Sequence, residues 1–131
     1  MDRDSRPRLL LADDHTEILR AFQRLLEPSF EVVGRVIDGG AVVEAATRLR
    51  PDVVVLDLGM PKLNGLEACA RIKAENPKTR IVVVTASNDE EIRQAAFRNG
   101  ASAFVLKHRA ATDLCSVIQR ALEENDGACQ K

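Results

Sequence analysis

The stretch that most narrows what this chain can fold into is Pro51 to Pro61, PDVVVLDLGMP. Val53, Val54, Val55 and Leu56 form an unbroken β-branched and aliphatic run. A half-wet strand alternates apolar and polar residues; a run without alternation suits a strand covered on both faces, as in a parallel sheet. Asp57 comes directly at the end of the run, and Gly59 and Pro61 then stop regular structure. In open α/β sheets the carboxyl ends of the strands are where ligands bind. An acid held there is well placed for chemistry, although a lone Asp more often just starts a turn.

Asp57 is not alone. Arg8 to Ala12 is a short apolar strand that ends in Asp13 and Asp14. Ile18, Leu19, Phe22, Leu25 and Leu26 then fall at helical spacing, and Pro28 closes that helix. Phe30 to Val36 reads as a second strand, nearer an edge because Glu31 and Arg35 interrupt it. Gly39 and Gly40 are expected to turn the chain into a helix from about Ala41 to Leu49. After the central strand, Asn64 can cap a helix carrying Leu66, Cys69 and Ile72. Arg80 to Val84 is a fourth strand ending in Thr85, and Asn88 or Asp89 can cap the helix that bears Ile92, Ala96 and Phe97. Gly100 lies past its end, Ser102 to Leu106 is a fifth strand ending in Lys107, and a last helix begins near Thr112.

Strand and helix thus alternate five times, which predicts a single α/β domain, a doubly wound five-stranded parallel sheet with helices on both faces. Spacing alone does not set the strand order. The order 2-1-3-4-5 is chosen because it sets the first and third strands side by side at the switch point.

The chain has 131 residues, enough for one real core, and 19 Lys and Arg against 20 Asp and Glu. That balance gives no broad attraction to nucleic acid or membrane. Arg20, Arg24, Arg48, Arg71 and Arg98 read as a solvated helix exterior rather than a nucleic-acid stripe. No apolar run approaches the roughly 20 residues of a membrane helix, and MDRDSRPR lacks the apolar centre of a signal peptide. Cys69, Cys115 and Cys129 are odd in number and widely spaced, against a disulfide framework or a zinc site. Cys69 and Cys115 read as core thiols. The expected compartment is the cytoplasm.

A parallel sheet would bring Asp13, Asp14, Asp57, Thr85 and Lys107 to one rim. Three crowded carboxylates repel one another unless a cation is present, and Mg²⁺ suits a few carboxylates plus waters and a phosphoryl oxygen. A lysine ammonium and a threonine hydroxyl can then hold further phosphoryl oxygens. The chemistry suggested is phosphoryl transfer, with Asp57 as the nucleophile that forms an acyl phosphate. His15, directly after the acid pair, reads as a first-turn surface residue, with a phosphate or metal role as the sharper alternative.

These pieces resemble the receiver domain of the two-component response regulators over essentially the whole chain. LLLADDH (Leu9–His15), VVVLDLGMPKLNG (Val53–Gly65), VVVTAS (Val82–Ser87) and GASAFVLK (Gly100–Lys107) carry the resemblance. It implies an aspartyl phosphate at Asp57, with Mg²⁺ held by Asp14, Asp57 and the Gly59 carbonyl, and Asp13 completing the pocket partly through water. Thr85 and Lys107 would bind the phosphoryl group, and Phe104 matches the aromatic that turns inward as Thr85 moves. A sensor histidine kinase or phosphotransfer protein would donate. An output domain, a partner protein or a second copy would meet the face of the fourth helix, fifth strand and last helix, with no direct nucleic-acid binding and no membrane. The domain would also hydrolyse its own phosphate, turning over no metabolite. DDH and GMPKLNG lean toward the subfamily that carries a LuxR-like helix-turn-helix.

The receiver is expected at residues 8–124, between an N-terminal tail at 1–7 and a frayed tail at 125–131, and no DNA-binding domain fits before Lys131. The chain is then either a stand-alone receiver or one cut from a longer regulator. His108 stands where the family commonly has a proline after a cis bond, and a cis bond without proline costs roughly 2.5–4 kcal/mol. The Lys107–His108 peptide is expected to be trans with a shifted loop, or strained and cis. Gly59 and Ser87 are expected to set the access of hydrolytic water. Two rival readings weigh less: a phosphate-independent scaffold has no need of the intact acids, Thr85 and Lys107. A flavin or nucleotide binder needs a phosphate cradle where this chain has DDHTE.

Overall fold

Each apolar run becomes a strand in a computed structural model that describes residues 5–60 and 64–123. The elements are β1 (Arg8–Ala12), α1 (Thr16–Leu26), β2 (Glu31–Val36), α2 (Gly39–Leu49), β3 (Val53–Asp57), α3 (Gly65–Glu75), β4 (Arg80–Thr85), α4 (Glu90–Arg98), β5 (Ala103–Leu106) and α5 (Ala110–Glu123). All neighbouring strands run parallel, and the sheet order is β2-β1-β3-β4-β5. The expected fold and order are those observed. Residues 1–4, Pro61 and the tail expected at 125–131 lie outside the described residues, as does Cys129.

The sheet buries both faces because strand side chains alternate direction. Leu9, Leu11, Val53, Val55, Val82 and Val84 point to the side covered by α1 and α5, where they meet Phe22, Leu26, Leu114 and Ile118. Leu10, Val54, Leu56, Ile81 and Val83 point to the other side, against Val42, Ala46, Cys69, Ile72 and Ala96 from α2, α3 and α4. β3, the middle strand, is buried along its whole length, Asp57 included. β2, with its charged interruptions, is an edge. Burial pushes the Cys69 thiol up to about 11, partly offset by Lys73, so it is an inert core group. Cys115 is only half-buried.

Several boundaries differ from the expectation. Asp38, not the glycine pair, starts α2: its Oδ1 accepts from the Ala41 N–H at 2.9 Å, drawing Gly39 and Gly40 into the first turn. Lys107–Arg109 forms a 3₁₀ turn that runs straight into α5, so that helix starts at Ala110 rather than near Thr112. Asn64 caps α3 as expected, accepting from Leu66 N–H at 2.8 Å and Glu67 N–H at 3.4 Å. Asp89, of the two candidates, caps α4 by accepting from Glu91 N–H at 2.9 Å.

Gly65 links the core to the rim. A Cβ there would lie 2.7 Å from Leu58 Cδ2 and 2.9 Å from Leu58 Cα, closer than a side chain can sit. The missing side chain lets the start of α3 rest on Leu58, the residue between Asp57 and Gly59.

Candidate functional site

Asp13 follows β1 and is fixed by its own N–H, which donates to Val36 O at 3.1 Å. Asp57 closes β3, and the chain leaves it in a tight turn in which Gly59 N–H donates to Asp57 Oδ1 at 3.0 Å. Leu58 N–H continues the ladder to Val84 O at 3.2 Å. Lys107, just past β5, reaches across to both acids. Its Nζ donates to Asp57 Oδ2 at 3.2 Å and lies 2.9 Å from Asp13 Oδ2, an ion pair off the line of a hydrogen bond. The two carboxylates are almost fully buried and the lysine side chain is 18% exposed.

Burial alone would lower the Lys107 pKa. Hydrogen bonds and charge from Asp13 and Asp57 outweigh that cost and hold it above the ordinary lysine value, so the ammonium is charged at neutral pH. One cation is not enough for this pocket. Asp13 Oδ2 and Asp14 Oδ1 are buried oxygens without a hydrogen-bond donor among the described residues. Ligand atoms of Asp13, Asp14, His15 and Asp57 all lie within 4.8 Å of one another. Unsatisfied, converging carboxylate oxygens are the donor set a hard divalent cation takes, so these residues fit one.

Thr85 ends β4 at the same rim, buried, its Oγ1 accepting from the Ser87 N–H at 3.2 Å. No hydrogen bond from it reaches Asp57 or Lys107 among the described residues. Gly59 leaves space beside the acid: a Cβ there would stand 3.6 Å from Asp57 Oδ1, in ordinary contact. The Lys107–His108 peptide is trans, since no cis bond occurs among the described residues, and the 3₁₀ turn absorbs the change of direction.

Two arrangements escaped the sequence reading. His15 does not simply face solvent; its Nδ1 lies 3.1 Å from Asp13 Oδ1 and 3.2 Å from Asp14 Oδ1. Its position next to the acid pair was the available signal. Phe104, half-buried, has the Arg93 guanidinium 6.0 Å from its ring centroid, and the same group sits 5.4 Å from the ring of Phe97. Arg93 lies a single helical turn before Phe97, but no spacing links it to Phe104. Arg93 and Phe104 line two clefts of about 240 Å³ each.

The profile of the response regulator receiver domain matches residues 9–119. The chain belongs to the response regulator receiver family. This receiver is 36% identical over 115 residues to the nitrate/nitrite response regulator protein NarL of Escherichia coli K12, covering 86% of this chain and 53% of that protein. It is 31% identical over 118 residues to the transcriptional regulatory protein DegU of Brevibacillus brevis, covering 88% and 50%. The receiver therefore spans about half the length of the curated relatives it matches. Its fold superposes on the signal receiver domain of the response regulator NarL from Mycobacterium tuberculosis with a TM-score of 0.87 at 27% identity, covering 93% of this chain and 100% of that one. These likenesses group the receiver with the NarL-like regulators of two-component signalling, a family whose receivers accept a phosphoryl group on an aspartate. No helix among the described residues is long and apolar enough to cross a membrane.

Proposed function

We propose that Asp57 is the phospho-acceptor of this receiver, and that Asp13, Asp14, Thr85 and Lys107 serve it. The observation that carries this reading is the Lys107 ammonium held 3.2 Å from Asp57 Oδ2 and 2.9 Å from Asp13 Oδ2. A fixed cation beside a buried carboxylate is a ready partner for an incoming phosphoryl oxygen. Asp14, Asp57 and the Gly59 carbonyl would hold Mg²⁺, with Asp13 acting partly through water. Bound there, the ion supplies charge neutralisation for the phosphoryl oxygens. An Asp57 oxygen forms the new O–P bond while the bond from phosphorus to the donor breaks, the leaving group keeping the electron pair. The donor is a sensor histidine kinase or phosphotransfer protein of the cytoplasm.

The Thr85 hydroxyl, bound to the phosphoryl group, draws the β4–α4 loop inward, and Phe104 follows. That movement changes the face of α4, β5 and α5, where an output domain, a partner protein or a second copy docks. The folded unit spans residues 8–124, and it hydrolyses its own acyl phosphate.

The test is incubation with acetyl phosphate, with and without Mg²⁺, read by intact mass beside an Asp57→Asn variant. One phosphoryl adduct is expected, requiring both Mg²⁺ and Asp57. No adduct together with no Mg²⁺ binding would leave only the scaffold reading. A second measurement concerns the lifetime of that adduct. Because Gly59 leaves the Asp57 carboxylate open on one side, Gly59→Arg and Ser87→Arg are each expected to lengthen the lifetime several-fold by obstructing water. Decay curves identical to the parent protein's would remove both residues from that role.

A further inference from the structure

His15 stands at the acid rim without a task in the chemistry proposed above. Its ring is folded back over the acid pair, although the side chain is 63% exposed and free to turn outward. Its Nδ1 lies 3.1 Å from Asp13 Oδ1 and 3.2 Å from Asp14 Oδ1, while its own N–H donates to Asp13 Oδ1 at 2.9 Å. The bland account is a screening hydrogen bond from the ring to Asp13. That account leaves Asp14 Oδ1 unexplained, because this buried oxygen is 3.2 Å from the ring nitrogen and still lacks a hydrogen bond. Asp13 Oδ2, on a side chain only 2% exposed, also lacks one. Ligand atoms on adjacent corners of an octahedron with bonds of about 2.1 Å lie about 3 Å apart. The two separations around the imidazole nitrogen match that edge.

The geometry points to His15 as a nitrogen ligand of the divalent cation bound at this rim, a residue that tunes which metal the receiver prefers. Carboxylates, carbonyls and water suit Mg²⁺, whereas an imidazole nitrogen adds little for Mg²⁺ and much for Co²⁺ and Ni²⁺. With His15 in place, the pocket joins one nitrogen to the carboxylates of Asp13, Asp14 and Asp57 and takes the nitrogen-accepting ions in preference. The inference rests on the receiver reading only in that the acid pocket binds a divalent cation.

Calorimetric titration of the whole chain with Mg²⁺ and with Ni²⁺, at one pH, tests it on the parent protein, His15→Ala and His15→Gln. His15→Ala is expected to weaken Ni²⁺ binding by about tenfold or more, the scale on which losing a metal-site partner is felt. Mg²⁺ affinity should change by less than about twofold, which also shows that the variant is folded. In the Mn²⁺-loaded parent, pulsed electron paramagnetic resonance should show an imidazole nitrogen coupling, absent from both variants. His15→Gln keeps an N–H donor but no imidazole, so recovery of Ni²⁺ affinity in it would reduce the ring to a hydrogen-bonding role and overturn the proposal. Equal losses for Mg²⁺ and Ni²⁺, unchanged Ni²⁺ affinity, or no divalent binding by the parent would overturn it too. Phosphoryl uptake separates the two readings: a Mg²⁺-dependent adduct on Asp57 with Ni²⁺ affinity unmoved by His15→Ala defeats the ligand and leaves the receiver standing. Mg²⁺ binding without any adduct defeats the receiver reading independently of His15.

Discussion

Lys107→Ala is expected to acquire its phosphoryl group from acetyl phosphate about a hundredfold more slowly than the parent, by analogy with the loss of one preorganised donor to a developing oxyanion. The same variant should still bind Mg²⁺. The two effects separate because Lys107 and a metal ion compete for the same charge: Nζ now sits against Asp13 Oδ2 and Asp57 Oδ2. Removing it leaves the carboxylates facing each other with no internal cation, a pocket that attracts Mg²⁺ at least as well but gives the phosphoryl group one less partner. Lost Mg²⁺ binding in a folded variant would show instead that Lys107 merely props the acids in place. A pH signature accompanies the substitution. The Lys107 pKa is raised in the folded state by Asp13 and Asp57 against the opposing cost of burial. Its contribution to stability is therefore fully present below the ordinary lysine value and fades as pH rises through the higher folded one. Denaturant midpoints measured across alkaline pH should fall less in Lys107→Ala than in the parent.

A larger effect on folding is expected one residue before the acceptor. Leu56 is fully buried on the α2–α3–α4 side of the middle strand, within the cluster formed with Leu10, Met60, Ala68 and Ile72. Leu56→Ala should cost about 2–5 kcal/mol, the range for leucine truncation in a close-packed core. Against the roughly 5–15 kcal/mol typical of a whole domain, that is a substantial share. Urea unfolding at constant slope measures it. A loss below about 1 kcal/mol would mean that the helices close over the gap, which the covering of β3 on both faces argues against.

The fold was legible because each apolar run stops at a polar residue. Leu11-Ala12 gives way to Asp13, Leu56 to Asp57, Val84 to Thr85 and Leu106 to Lys107. In a parallel sheet those stops share an edge, so the rim could be assembled from the linear order alone. Strand order could not, since right-handed crossovers leave several arrangements open. Helix starts were blurred where two signals compete. At α2 the Asp38 carboxylate captures the first turn that the glycines seemed to mark as a loop. At α5 the 3₁₀ turn of Lys107–Arg109 merges into the helix before Thr112. Side-chain directions were the least legible layer. Nothing in the spacing told that His15 folds back over the acids or that Arg93 reaches Phe104, because both depend on rotamers settled by tertiary neighbours.

Lys107 and Asp57 lie 50 residues apart in the chain. The pocket they share needs β1, β3 and β5 all seated in one sheet, so no fragment or half-zipped form of the chain possesses it. Anything that binds at the rim thus discriminates completely between the native ensemble and the unfolded one. Its binding free energy is added to the whole domain by mass action rather than to a loop. Amides in the middle of β1 and β3, out of reach of any ligand, would then exchange with solvent more slowly when the rim is filled. For this receiver, occupancy and global cooperativity are one equilibrium observed at two places.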